Sequence, residues 1–571
     1  MTEARRRTVP LRSEPAAPGR PSAEALARLD RRWRPRYLML APHRLGFFLA
    51  MLLLMASGLW WALVQIDRVS GALALPYGVA PSLVHAAVMT FGFMPLFFAG
   101  FLFTAGPKWL HVEPWPVSRV MPPLLLQAGG WLVWLAGGSW GLLVALAGCA
   151  VAFLGLAWMT VLFISLVLRS TLQDGLHAAA IAAACLVGCV CIAALGLSLA
   201  GGRGDLARAW VLTGLWGFVA AVFVVVAHRM IPFFTSAVLP MVQAWRPFWV
   251  LWLMLAAVVA EALAVWLPWL GWAPALDTGG LLVRGALELS AGAVLLWLAY
   301  RWGLLQSLAQ RLLAMLHIGF IWLGLAFVGH GLAHGVQGLY GSAAGELGAL
   351  HALTMGCLGS LMLAMVTRVS CGHGGRALVA DRLVWTLFWV LQLATVVRLA
   401  ASAPWPWSPV LLAVAALLWA GIMAVWGLRL IGWYGRRRAG GRPGCVPWKR
   451  GDPCRHRACK MQPPRRNWPP RCCRRARPSC PSGWARRGRT PRNCRPFWPR
   501  PRMRRTMAVC CPGGLSWCPT RPARRWARRL PMRCASATRR PRPSSRSRRA
   551  RRPCARPCCC WWWWTNAGAI P

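Results

Sequence analysis

The sequence predicts an all-α polytopic membrane protein: a bundle of about 12 transmembrane helices, N- and C-termini cytoplasmic, with a disordered basic tail. Three observations predict it. Hydrophobic residues make up 57% of the 571 and charged residues only 14%, against about 25% charged in ordinary globular domains. Apolar runs recur from Leu45 to Trp433, each near the roughly 20 residues that cross hydrocarbon as a helix. Basic residues also gather on alternate connections between those runs. A multi-domain soluble enzyme is excluded.

In chain order the apolar segments are 45–66, 80–106, 121–140, 141–168, 176–200, 208–230, 246–270, 281–303, 311–333, 346–368, 378–402 and 407–433. Each must be helical, because lipid offers backbone N–H and C=O groups no partner. The break between the third and fourth rests on Gly137-Gly138 alone. Tryptophans at segment ends, such as Trp60-Trp61, Trp109, Trp245 and Trp405, fit interfacial belts. Residues 1–40 read as a disordered basic cytoplasmic lead without the apolar stretch of a cleavable signal.

Orientation follows from Lys and Arg. With the N-terminus inside, inner segments hold 25 of them: eleven up to Arg44, then Lys108, Arg119, Arg169, Arg229, Arg246, Arg301, Arg311, Arg368, Arg376, Arg382, Arg429 and Arg436 to Arg438. Outer loops hold five: Arg68, Arg203, Arg208, Arg284 and Arg398. This places both ends of the membrane domain 41–444 in the cytoplasm.

The net charge of +52 is uneven. Residues 1–444 carry 31 Lys/Arg and 13 Asp/Glu; residues 445–571 carry 35 and one, with 15 of the 21 cysteines. The tail has five Leu, Ile and Val residues, too few to offset the cost of ordering a backbone. Its Arg/Pro/Cys/Trp mixture is what a GC-rich gene yields out of frame, so frameshift or read-through is the leading reading. A basic nucleic-acid-binding arm and a metal module are the others, although the cysteines form no C-x-x-C pair. No nucleic-acid partner is expected for 1–444; the partner there is the bilayer.

Ionisable residues inside a membrane are functional candidates because burying them is expensive. Topology sorts the histidines into two layers. In the outer layer, His85 lies at the outer end of the second span, and His330 and His334 share a helix face on the ninth. His351 starts the tenth across a short loop. Converging imidazoles suit haem iron or copper, with Glu346 the nearest carboxylate in sequence. The alternative is four interfacial histidines hydrogen-bonded to neighbouring helices.

The inner layer holds His43 with Arg44, His228 with Arg229, His317, and His373 with Arg376. These form a candidate haem pocket in which arginines pair with propionates. The alternative for each Arg is topogenic charge and loop bracing. Glu261 and Glu288 lie inside spans seven and eight as candidate proton carriers, with no partner legible in the sequence.

Five ordered stretches resemble the NnrS family, membrane proteins that bind haem and copper and are linked to nitric oxide metabolism. They are Ala41-Pro42-His43-Arg44, Phe91-Gly92-Phe93 running on through Ala99 to Trp109, His228 to Thr235, Leu350 to Gly356, and Arg368 to Arg376. The resemblance covers about 41–444 and ends at Gly440-Gly441-Arg442-Pro443-Gly444. Members commonly show Trp-His-x-His-Glu-Met on the second span. Here Val84-His85-Ala86-Ala87-Val88-Met89 keeps the first His and lacks the second His and the Glu.

The resemblance implies a haem- and copper-binding protein of the bacterial inner membrane, multi-pass, acting in nitric oxide metabolism or nitrosative-stress response. A small neutral ligand such as nitric oxide would reach the outer layer. Two other classes compete: a transporter of a small solute or metal, and a heme–copper-type oxidoreductase. Whether the chain catalyses a reaction is not legible in its sequence.

Overall fold

The computed structural model describes residues 32–439, except 173–174, 240, 272–276 and 343–344. Contacts divide the chain into two units, 1–451 and 452–571, and everything described lies in the first. The tail 445–571 and most of the lead 1–40 fall outside the described residues. Within that lead, Pro35–Leu40 form a 3-10 turn with Tyr37 and Leu38 buried. That corrects the expectation of disorder up to residue 40.

Every long element among the described residues is helical. Eleven helices are long and apolar enough to cross a membrane: α1 (Pro42–Ser70), α2 (Pro81–Trp109), α3 (Val117–Trp140), α4 (Leu142–Leu168), α5 (Leu176–Ala200) and α6 (Gly204–Val238), then α8 (Thr278–Arg301), α9 (Arg311–Tyr340), α10 (Glu346–Gly374), α11 (Arg382–Ala400) and α12 (Ser408–Tyr434). A shorter apolar helix, α7 (Phe248–Ala264), lies between α6 and α8 and has 17 residues, the lower limit for a spanning helix of about 17–25. All twelve predicted segments are therefore helices. The chain is a multi-pass membrane protein.

The boundary between the third and fourth segments falls at 140/141 as expected, although not at the Gly137-Gly138 pair that suggested it. Helix α3 runs on through Gly137-Gly138 to Trp140, and the chain turns at Gly141, whose φ of +128° only glycine adopts freely. Gly137 instead lets α4 approach. A Cβ there would stand 2.3 Å from the Ala145 amide nitrogen. Lipid gives helices no hydrophobic reason to associate, so close backbone approach at small residues supplies packing energy.

The same device joins α8 to α9. A Cβ on Gly285 would lie 2.8 Å from the Gly331 carbonyl oxygen, and one on Gly331 would lie 2.6 Å from that of Gly285. The segment before α1 also meets the end of α12: the Arg34 amide donates to Gly435 O at 2.7 Å. Two stretches depart from α geometry. Leu215–Ala220 within α6 and Ala352–Gly359 within α10 are π-helical, a form that is rare and often sits at functional sites.

Candidate functional site: paired histidines in two layers

The contact between α8 and α9 at Gly285 and Gly331 sets what the neighbouring side chains can reach. Glu288 lies about one turn after Gly285, and His334 about one turn after His330. The Nδ1 of His334 stands 2.7 Å from Glu288 Oε2. A carboxylate can only accept, so the imidazole N–H donates to it, and in the neutral ring Nε2 is then the lone pair. The other Glu288 oxygen accepts from Arg284 Nε at 2.9 Å, and Arg284 Nη2 donates to Glu261 Oε2 on α7 at 2.9 Å. Glu261 and Glu288 are each about 5% exposed or less. Burying such charges is tolerable only when they are paired.

The two glutamates thus have a partner that sequence reading missed, because it placed Arg284 in an outer loop rather than within α8. Glu288 on α8, rather than the Glu346 nearest in sequence, is the carboxylate that His334 contacts. His330 completes this group. Both its ring nitrogens are buried without a hydrogen-bond partner. Its ring centre lies 6.3 Å from that of His334, with planes 21° apart, and 5.6 Å from Trp216.

The structure divides the four outer histidines between two places. His85 stacks on Trp61 at 3.9 Å, and its buried Nδ1 has no partner. It interacts electrostatically with His351, and Arg398 acts on both. His351 Nδ1 donates to Leu347 O at 2.7 Å, so its Nε2 also carries the lone pair. Among the described residues no group of three or more His, Cys, Asp or Glu is placed to hold one metal ion. Pairs are the unit.

At the other end of the bundle, His43 and His373 have ring centres 4.6 Å apart. Thr104 of α2 accepts the His43 amide at 3.1 Å. Arg44 is engaged by the backbone: its Nη1 donates to the carbonyls of Tyr434 at 3.0 Å and Arg436 at 2.7 Å. Arg376 lies over Trp433 at 4.1 Å, and Arg229 over Trp109 at 4.9 Å. These contacts favour the bracing reading of the arginines.

His228 pairs with a residue the sequence reading passed over. Its Nε2 donates to Pro247 O at 3.1 Å, so its Nδ1 accepts from His177 Nε2, also at 3.1 Å. His177 Nδ1 is then a buried lone pair without a partner. Nothing beside His177 at the start of α5 marks it in sequence; only its end of the bundle, shared with His228, could have signalled it. His317 Nε2 lies 3.0 Å from Thr235 Oγ1, which itself donates to Ile231 O, so His317 also keeps a bare, buried Nδ1.

A family model described as NnrS protein matches residues 37–438. The chain belongs to the NnrS family. With that membership it is a nitric oxide-related membrane protein at family level. No curated protein matches the chain. The stretches that resemble NnrS proteins supply part of the histidine layers: they contribute His43 and the Thr104 beside it, His228 and the Thr235 that holds His317, His351, and His373. The His330–His334–Glu288 group lies outside all five NnrS-like stretches.

Proposed function

We propose that this NnrS chain is a copper- and haem-binding protein of the bacterial inner membrane, acting in nitric oxide metabolism or nitrosative-stress response, with both termini in the cytoplasm. The observation that carries the metal reading is the His330–His334 pair. One imidazole is oriented by a carboxylate, the usual partner of a metal-ligating histidine. The other has two buried nitrogens and nothing to bond. A ring nitrogen sits about 2 Å from a bound transition-metal ion, so two imidazoles flanking one ion have ring centres about 6 Å apart. The observed separation is 6.3 Å. Nitrogen donors without a surrounding oxygen cage suit copper rather than magnesium or calcium.

Haem rests on the family resemblance and on donor chemistry. His43 and His373 offer imidazoles, the commonest haem ligands. Their cleft, lined also by Arg44, Arg376 and Tyr434, has room for about one water molecule. A macrocycle does not fit there as the residues stand, so copper is the group the geometry supports better.

Metal analysis and an absorption spectrum of the purified full chain test the proposal. Bound copper with a Soret band supports it. Protein purified without either, and unable to take up copper(I), would overturn it.

A further inference from the structure

Between the two histidine layers lies a cavity that the metal reading does not use. Its walls are Ala220, Phe223, Val224 and Ala227 of α6, Phe320 and Leu323 of α9, and four residues of α10 from Leu353 to Leu361 that include Cys357. Each helix places it relative to the histidines. Phe320 and Leu323 fall between His317 and His330, the α10 residues fall between His351 and His373, and Ala220 to Ala227 precede His228. Both π-helical stretches contribute walls, Ala220 from one and Leu353, Cys357 and Leu358 from the other.

The lining is apolar throughout, and the space admits about one water-sized sphere. A buried water needs two to four polar partners, and apolar cavities, in the known case a larger one of about 150 Å³, stay dry and take up apolar guests such as xenon. An ion would lose its hydration with nothing in return. The occupant that suits such a space is small, uncharged and nearly apolar. We propose that this cavity is a binding site for one small gas molecule, monatomic or diatomic, held by dispersion contacts between the two π-helical turns. The proposal needs no metal and stands apart from the copper reading.

Xenon is the probe, applied under pressure to crystals of the full chain and of two variants. Ala220 is about 1% exposed and Leu353 fully buried, so Ala220→Leu fills the space and Leu353→Ala enlarges it. The expected result is a xenon peak among Phe223, Phe320 and Leu361, lost in Ala220→Leu and stronger in Leu353→Ala. The enlarging variant keeps the test decisive if the filled one does not fold. Absence of that peak from both the natural chain and Leu353→Ala, or equal occupancy in all three proteins, would overturn the proposal.

Discussion

Replacing Glu288 with Gln tests how the outer histidine pair is held. Both Glu288 oxygens are in use, one accepting from His334 at 2.7 Å and the other from Arg284 at 2.9 Å. A glutamine keeps the shape but offers one acceptor oxygen, so it can serve only one of these donors. Arg284 retains Glu261; the unserved partner that matters is His334, whose tautomer and ring orientation are no longer fixed. Removing an outer-sphere partner of a metal-bound histidine typically costs about 10–100-fold in affinity, which is about 1.4–2.7 kcal/mol. The loss to folding is smaller, near the average of about 0.6 kcal/mol for interhelical hydrogen bonds in membranes. The assay is copper(I) affinity by competition with a chromophoric chelator, alongside a thermal melt in detergent. We expect affinity to fall by about 10-fold or more while the melt moves little. Unchanged copper affinity in Glu288→Gln would refute the argument, as would an equal loss in a Glu261→Gln variant, which leaves the His334 contact intact.

Other outcomes follow from the same structure. Gly331→Leu drives a side chain against Gly285 O, which is 2.6 Å from the position of its Cβ; overpacking of this kind costs about 1–3 kcal/mol, and a melt should show it together with reduced copper. Asp381 caps α11 through the Val384 amide and pairs with Arg429. The Arg429 hydrogen bond holds its carboxyl below the usual carboxylate range. Its stabilisation is therefore full at neutral pH, begins to fade as pH falls towards about 4 and is lost as pH drops through the lowered value. Asp381→Asn should remove about 1 kcal/mol at pH 7 and flatten the acid limb of the melt-versus-pH curve; identical curves would contradict this. Ending the chain at Gly444 should leave insertion and metal content unchanged, read by membrane fractionation and metal analysis.

All twelve helices were legible, because apolar length alone decides what can cross a bilayer. The turn between α3 and α4 falls at the expected 140/141, but the role of its glycines was not legible: Gly137, Gly138 and Gly141 look alike in sequence, and only packing against Ala145 makes Gly137 a contact rather than a break. Loop charge grouped the histidines into two layers; the observed contacts join His43 to His373 and His330 to His334, each within one expected layer, and join His228 to His177, which the sequence reading assigned to neither. The pairing of Glu288 with His334 was hidden because it depends on how two helices cross. A signal did exist. Gly285 and Gly292 on α8, and Gly324 and Gly331 on α9, repeat at seven residues and put small residues along one face of each helix. Read as a crossing, they set Glu288 beside His334.

X-ray absorption at the copper edge of the full chain tests the central claim most directly. The account predicts imidazole nitrogen scatterers at about 2 Å, and loss of that shell when His330 and His334 are both replaced by Ala. Copper bound through sulfur instead, or a nitrogen shell unchanged in the double variant, would contradict it.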